Sequence, residues 1–140
     1  MTKEIKFEDI RKFFFEMPLV YLATTDESQP RVRPMSLINC DDTLWLTSRS
    51  YDEKIEQMKN NPNIEFVFVL QKEEFNGMIR ACGQATIVDD LPVKEKLYKA
   101  IPFFKDYFKK PDDPNFGLIQ LEISEVRVLS KGNRYKFQWS

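Results

Sequence analysis

Turn residues divide the sequence into about seven short apolar or alternating segments, and this spacing is the strongest constraint on the fold. The segments cover residues 19–25, 31–38, 43–48, 64–70, 78–88, 117–129 and 134–139. Strands at such spacing, joined mostly by tight turns, predict an antiparallel barrel or sandwich. Segment 64–70 is almost continuously apolar, which predicts burial on both faces, as in a barrel wall or an oligomer interface. In segment 78–88, small residues share one face around Gly83, which predicts either a close approach by a neighbour or plain tight packing.

Only three segments have helical periodicity. In residues 7–17 the apolar positions follow helical spacing, and Pro18 is expected to end that helix. A second apolar stripe runs through residues 92–108, where Pro102 predicts a kink or two shorter helices. The third segment follows residue 50 and carries the first candidate binding groups.

Polar donors are concentrated around the start of this third helix. Thr47 and Ser48 end a predicted strand, and both side chains carry hydroxyl donors. Ser50 and Glu53 fit the S-x-x-E capping box, which predicts a helix beginning one or two residues after Ser50. Lys54 falls in its first turn, where a helix N-terminus also favours anions. The segment therefore predicts a phosphate-binding site or, alternatively, a plain capped surface helix with a solvated lysine.

Two more cations precede these donors on a predicted strand. Arg31 and Arg33 are two residues apart, so their side chains project from the same face. Pro34 lacks an N–H group and predicts a sheet edge, a bulge or an opening in the sheet. An opened strand would leave backbone groups free to meet a ligand.

Length and composition exclude several classes of function. At 140 residues the chain is expected to form one domain, residues 1–140, and its formal net charge of −1 provides no basic field for nucleic acid or a membrane surface. Histidine is absent, which excludes histidine-dependent hydrolytic triads and histidine-ligated haem. Cys40 and Cys82 form no C-x-x-C motif, so two reduced thiols and no metal site are predicted. Without an apolar signal core or a membrane-spanning segment, a cytoplasmic location is expected.

Four segments, taken in order, resemble a known family. They read L-A-T-T-D-E-S-Q-P-R-V-R-P-M, L-W-L-T-S followed by a lysine, N-N-P-N-I-E-F-V-F-V, and C-G-Q-A-T-I-V-D-D. Their order and spacing resemble the pyridoxamine 5'-phosphate oxidase-like split barrels, an FMN-binding family that includes general-stress-type flavoproteins. The resemblance covers nearly the whole chain. It implies a mainly β fold with flanking helices, namely an antiparallel six- to seven-stranded split barrel of Greek-key type, which binds FMN and forms a homodimer.

The resemblance also implies a set of cofactor-binding residues. The family's flavin-binding strand corresponds to Arg33, Pro34, Met35 and Ser36, and its phosphate-side residues correspond to Thr47, Ser48 and Lys54. The lysine lies one residue further from the threonine than in the oxidase, and Glu53 stands where the oxidase has an arginine. The oxidase's carboxy-terminal substrate signature, which contains a histidine, is missing.

Two functions remain open from the sequence. One is an FMN-dependent oxidoreductase that acts on an unidentified small molecule, and the other is a non-catalytic FMN-binding, storage or stress-related module. No catalytic residue is assigned. For the expected homodimer, Tyr107, Phe108 and Trp139 of a second subunit are candidates for a wall beside the flavin, or else ordinary core aromatics.

Overall fold

The strands form one antiparallel sheet that curves into a half-barrel, and short helices flank it. The computed structural model describes residues 4–140. Residues 1–3, which belong to the predicted domain and to the start of the chain expected to lack a signal core, lie outside the described residues. The elements are α1 (Phe7–Arg11), a 3₁₀ helix (Lys12–Phe15), β1 (Leu19–Asp26), β2 (Gln29–Ser36), β3 (Ile38–Cys40), β4 (Thr43–Arg49), α2 (Glu53–Asn60), β5 (Asn63–Gln71), β6 (Asn76–Val88), α3 (Leu91–Ala100), α4 (Phe104–Tyr107), β7 (Phe116–Ser130) and β8 (Asn133–Gln138).

The connections between strands explain the curvature. The order across the sheet is β2-β1-β5-β6-β7-β4-β3, and β8 pairs with the second half of β7. Strand β5 returns beside β1 rather than β4, which is a long connection of the Greek-key kind. The two ends of the order, β2 and β3, are separated in sequence by Leu37 alone. The sheet therefore bends back on itself, and the predicted mainly β, antiparallel barrel-type fold is confirmed.

The predicted strand over residues 31–38 is wrong in its extent. Strand β2 stops at Ser36, and the backbone N–H of Leu37 donates to the carbonyl of Pro18 at 3.0 Å, where the chain crosses to the other end of the sheet. A separate short strand, β3, follows, and its hairpin turn is Asp41-Asp42, both with positive φ. With this short strand counted separately, the described residues form eight strands. Pro34 lies on edge strand β2, so the sheet edge is the correct one of the three alternatives predicted for this proline.

Two of the helix predictions need correction. The helix expected over residues 7–17 ends at Arg11 and tightens into the 3₁₀ helix, and Met17 has a φ of 52°. The capping box is wrong, because α2 begins at Glu53 with Asp52 as its N-cap residue and no side-chain cap hydrogen bond. The hydroxyl of Ser50 donates instead to the carbonyl of Pro114 at 2.6 Å. The stripe interrupted by Pro102 does form two short helices, α3 and α4.

Two hydrophobic clusters hold the half-barrel together. The larger lies between the inner face of the sheet and the amino-terminal helices, and the smaller lies between β4, β7 and the helices α3 and α4. Strand β5 contributes Ile64, Phe66 and Phe68 to the larger cluster, but Val69 on its other face is 63% exposed. The prediction that this strand is buried on both faces is therefore wrong for the single chain. Among the described residues, no helix combines the length and the hydrophobicity that crossing a bilayer requires.

Candidate functional site

A cleft of about 330 Å³ opens where the chain passes from β2 to β3. This volume falls within the range of about 300 to 1,000 Å³ that is usual for small-molecule sites. Its lining consists of Arg33, Pro34, Met35, Ser36, Ile38, Thr47, Ser48, Arg49, Asp52, Lys54, Phe103, Tyr107 and Phe108. All seven residues predicted to bind a cofactor are in this set. They come from β2, from the end of β4 and from the first turn of α2, so the fold brings three separate segments together.

The polar end of the cleft contains a closed triangle of hydrogen bonds. The ammonium group of Lys54 donates to the hydroxyl oxygen of Ser48 at 2.9 Å and to Oδ2 of Asp52 at 3.0 Å. The Ser48 hydroxyl in turn donates to the same Asp52 oxygen at 2.8 Å. Lys54 is largely enclosed, with 17% of its side chain exposed. Two of the predicted anion donors are therefore engaged with a carboxylate of the chain itself.

The electrostatics at this end favour an ionised Asp52. Partial burial alone would raise its pKa, but the hydrogen bonds from Ser48 and Lys54, together with the charges of Lys54 and Arg49, outweigh burial. The pKa of Asp52 is consequently held below the ordinary carboxyl value. At neutral pH this corner therefore contains the Asp52 carboxylate, in contact with Lys54, and the further cation Arg49.

Arg33 is held by groups behind the cleft wall. Its guanidinium donates to the carbonyl of Leu22 at 3.2 Å and to Oε1 of Gln57 at 3.1 Å. The buried Gln57 oxygen also accepts a hydrogen bond from Thr24 at 2.6 Å. Partial burial lowers the pKa of Arg33, but a guanidinium remains charged at any physiological pH. Arg33 thus lines the cleft from a fixed position, whereas Arg31 lies outside the lining and pairs with Asp26 at 3.6 Å.

Thr47 faces the cleft but already uses its hydroxyl proton. Its Oγ1 donates to the carbonyl of Gly117 on the neighbouring strand β7 at 3.0 Å. That strand lies very close, since a Cβ atom built on Gly117 would stand 2.6 Å from the carbonyl oxygen of Ser48. Both hydroxyls predicted as donors therefore already have acceptors within the protein.

Apolar side chains line the rest of the cleft. Met35 and Ile38 come from the two strands that meet at the opening, and Phe103 and Phe108 come from the segment around α4. Tyr107 is 70% exposed at the mouth. Tyr107 and Phe108, expected from a second subunit, thus already line the cleft of their own chain. Trp139 lies elsewhere and packs on Phe14 with ring centroids 4.9 Å apart.

Sequence reasoning missed several cleft residues and one supporting residue. Arg49 and Asp52 line the cleft but are not among the predicted site residues. Gln57 had a usable signal, since it lies next to Met58 on the inward side of α2, where an uncharged polar side chain needs a buried partner. Ile38 and Phe103 carry no signal in the sequence, because only the fold brings them to the cleft.

A second, larger hollow of about 420 Å³ lies near the amino-terminal helix. Its charged lining is mainly carboxylate, namely Glu4, Glu8, Asp9, Glu73 and Glu74, with the cations Lys12 and Lys131. An anion would meet repulsion there, so the smaller cleft is the better candidate for a phosphate group. Within the described residues, no group of three or more metal-ligating side chains occurs, and Cys40 and Cys82 are free thiols.

Comparison with known proteins identifies the family. The sequence model described as pyridoxamine 5'-phosphate oxidase matches residues 7–130, which is most of the chain. The chain belongs to the pyridoxamine 5'-phosphate oxidase family. This membership confirms the resemblance found in the sequence.

Individual relatives agree with this family. General stress protein 26 of Bacillus subtilis is 25% identical over 114 residues, which cover 81% of this chain and 80% of that protein. The structure of a NimC/NimA family protein from Clostridium acetobutylicum aligns with a TM-score of 0.79 and 28% identity, covering 94% of this chain and 91% of that one. A haem-binding protein from Mycobacterium smegmatis aligns with a TM-score of 0.76 and 16% identity, covering 99% of this chain and 60% of that one.

Proposed function

We propose that the cleft binds FMN and that the protein acts as an FMN-dependent oxidoreductase on an unidentified small molecule. One observation carries this proposal. The residues that the family pattern assigns to the cofactor, from Arg33 to Lys54, lie on three segments of the chain and all line one cleft.

The chemistry of the lining suits a phosphorylated flat ring. Lys54, Ser48 and Arg49 would hold the phosphate, because charged and hydroxyl donors form the strongest hydrogen bonds to phosphate oxygens. Met35 and Phe103 offer apolar surface to an aromatic ring system. When bound, the flavin would supply the electron chemistry, and the protein would supply orientation and electrostatics.

The substrate is not vitamin B6 in this proposal. The chain contains no histidine, whereas the oxidase's substrate signature requires one together with an arginine. Tyr107 is an exposed aromatic residue of the cleft lining, which an incoming substrate could meet. A cytoplasmic location remains part of the proposal.

We also propose that the protein forms a homodimer through the outer face of its sheet. Tyr21 lies between Pro34 and Val67 in the strand register, and Val32 and Val69 lie on the same outer face. Val32 is 69% exposed. Contiguous apolar surface of this kind usually marks an interaction site, and obligate dimer interfaces are apolar.

Two alternatives are weaker. A non-catalytic FMN-binding or storage module uses the same cleft and differs only in lacking turnover. Haem binding is named for one structural neighbour, but at 16% identity that likeness supports the fold alone, and the commonest haem ligand, histidine, is absent here.

Absorbance of the purified protein tests the proposal. A flavin spectrum that bleaches on addition of NAD(P)H and returns in air supports the oxidoreductase. A flavin spectrum that is inert to reductants supports the binding module. A colourless protein that does not take up added FMN would refute both.

A further inference from the structure

We propose that Asp52 competes with the ligand's phosphate for the Ser48 and Lys54 donors, so that the cleft holds FMN as an exchangeable ligand rather than a permanently bound group. This inference rests on the proposed function and adds a specificity-determining residue to it. Its basis is the hydrogen-bonded triangle at the polar end of the cleft.

The geometry places the carboxylate where it must meet an incoming anion. Oδ2 of Asp52 lies 3.0 Å from the Lys54 nitrogen. A phosphate oxygen bound to Lys54 would lie about 2.8 Å from the same nitrogen. The two anionic oxygens would then be at most about 6 Å apart, which is within the Debye length at physiological salt, so their repulsion is not screened away.

The donors also have to change partners. The Ser48 hydroxyl has one proton, and its nearer acceptor is Asp52 at 2.8 Å, with the Arg49 carbonyl at 3.3 Å. Lys54 has three donor hydrogens, two of which point at Ser48 and Asp52. A phosphate can take the third Lys54 hydrogen, but the Asp52 carboxylate then stays close enough to repel it. To reach the donors that now serve Asp52, the phosphate must displace the carboxylate, and either course weakens binding. Because 36% of the Asp52 side chain is exposed, the carboxylate has solvent into which it can move.

The position of Asp52 allows a clean substitution. Its side chain makes no cap hydrogen bond to α2, and Asn is as favourable as Asp at the N-cap. Asp52→Asn therefore removes the charge without removing a helix cap. Glu53→Gln is the matched control, because it removes one negative charge from the adjacent, exposed position, whose side chain does not line the cleft.

The test compares wild type, Asp52→Asn and Glu53→Gln by titration with FMN, riboflavin and inorganic phosphate. Flavin binding is followed by fluorescence, phosphate binding by phosphorus NMR, and folding by circular dichroism. We expect Asp52→Asn to bind FMN and phosphate about 10-fold or more tightly than wild type, the effect of one charge-assisted contact. Riboflavin affinity should stay unchanged, and Glu53→Gln should behave as wild type.

The outcomes separate this inference from the proposed function. If wild type binds FMN and Asp52→Asn binds it equally or more weakly, the competition is refuted and FMN binding stands. If no variant binds FMN but Asp52→Asn binds phosphate more tightly, the competition stands and the FMN proposal fails. If no variant binds either ligand, both are refuted.

Discussion

Arg33 on β2 and Lys54 on α2 both line the cleft, but they form hydrogen bonds with different parts of the protein. Within residues 4–140, the ammonium group of Lys54 forms hydrogen bonds with Ser48 and Asp52, both of which line the cleft. Arg33 instead bonds Gln57 and Leu22, which lie behind the wall. Removing Lys54 should therefore affect anion binding alone, whereas removing Arg33 should also loosen the contact between the sheet and α2.

Arg33→Ala should lower the free energy of unfolding by about 1 to 3 kcal/mol, because the buried oxygen of Gln57 loses a charged donor. Arg33→Ala should also weaken the binding of both FMN and riboflavin, because strand β2 beside the flavin ring would shift. Arg31→Ala is the matched control. Arg31 is on the same strand, and among the described residues its one ion pair is with the exposed side chain of Asp26, so its loss should stay within about 0.5 kcal/mol. Urea unfolding measures the free energy of unfolding of both variants. Equal stability of the two variants would contradict the supporting role of Arg33.

Individual cleft residues were predictable where they carry distinctive chemistry in a fixed order. Arg33, Pro34, Thr47, Ser48 and Lys54 belong to this kind, and the structure brings them to one cleft. The hydrogen-bond partners of these side chains within the protein were not predictable. Hydrogen-bond partners depend on distances of a few tenths of an ångström between segments that are remote in sequence.

Among the elements, the strands were predicted better than the ends of the helices. Alternation along a strand is a local signal, and it located β1, β4, β6, β7 and β8 within a few residues. Helix ends depend on remote contacts. The backbone N–H of Ser50 donates to the carbonyl of Asn115 at 2.9 Å, so the loop before β7 binds the residue expected to cap α2.

Strand β6 contains a close backbone contact that a substitution can test. Its register shifts between Cys82 and Gly83, and a Cβ atom on Gly83 would stand 2.1 Å from the backbone carbonyl oxygen of Glu122. The close approach predicted at Gly83 is therefore real, and the neighbour is strand β7. Gly83→Ala should destabilise the protein by more than about 2 kcal/mol, because backbone of a central strand must move.

Gly132→Ala is the comparison for this variant. Gly132 has a φ of 80° but open space around it, so alanine should cost only about 1 kcal/mol. Thermal unfolding ranks the two variants. If Gly83→Ala were the more stable of the two, β7 would not be packed against β6 as described.

On the scale of the whole molecule, the outer face of the sheet has two halves. One row across the strands reads Pro34, Tyr21, Val67, Arg80, Arg127 and Lys136. It passes from apolar to cationic between β5 and β6. The apolar sequence of β5 predicted burial on both faces of this strand. Its outer face is exposed in the single chain, so its burial requires a partner, and the sequence of one chain does not identify that partner.

Val69→Glu should therefore convert the proposed dimer into a monomer, because it places a charge in the apolar half of this face. Leu91→Glu is the matched control. Leu91 is also an exposed apolar residue, but it lies at the start of α3 and not on a strand of the apolar half. Sedimentation at micromolar concentration distinguishes the species. A wild-type protein that is already monomeric there would contradict the dimer.

The most direct test of the central claim is a paired titration of FMN and riboflavin, which share a ring and differ in the phosphate. We expect wild type to prefer FMN, and Lys54→Ala to lose about 1.5 to 3 kcal/mol of FMN binding, roughly 10-fold to 150-fold, with riboflavin hardly changed. Lys59→Ala, which removes an exposed lysine from the same helix, should match wild type. Equal FMN affinity in wild type and Lys54→Ala would show that the phosphate is not bound at this end of the cleft.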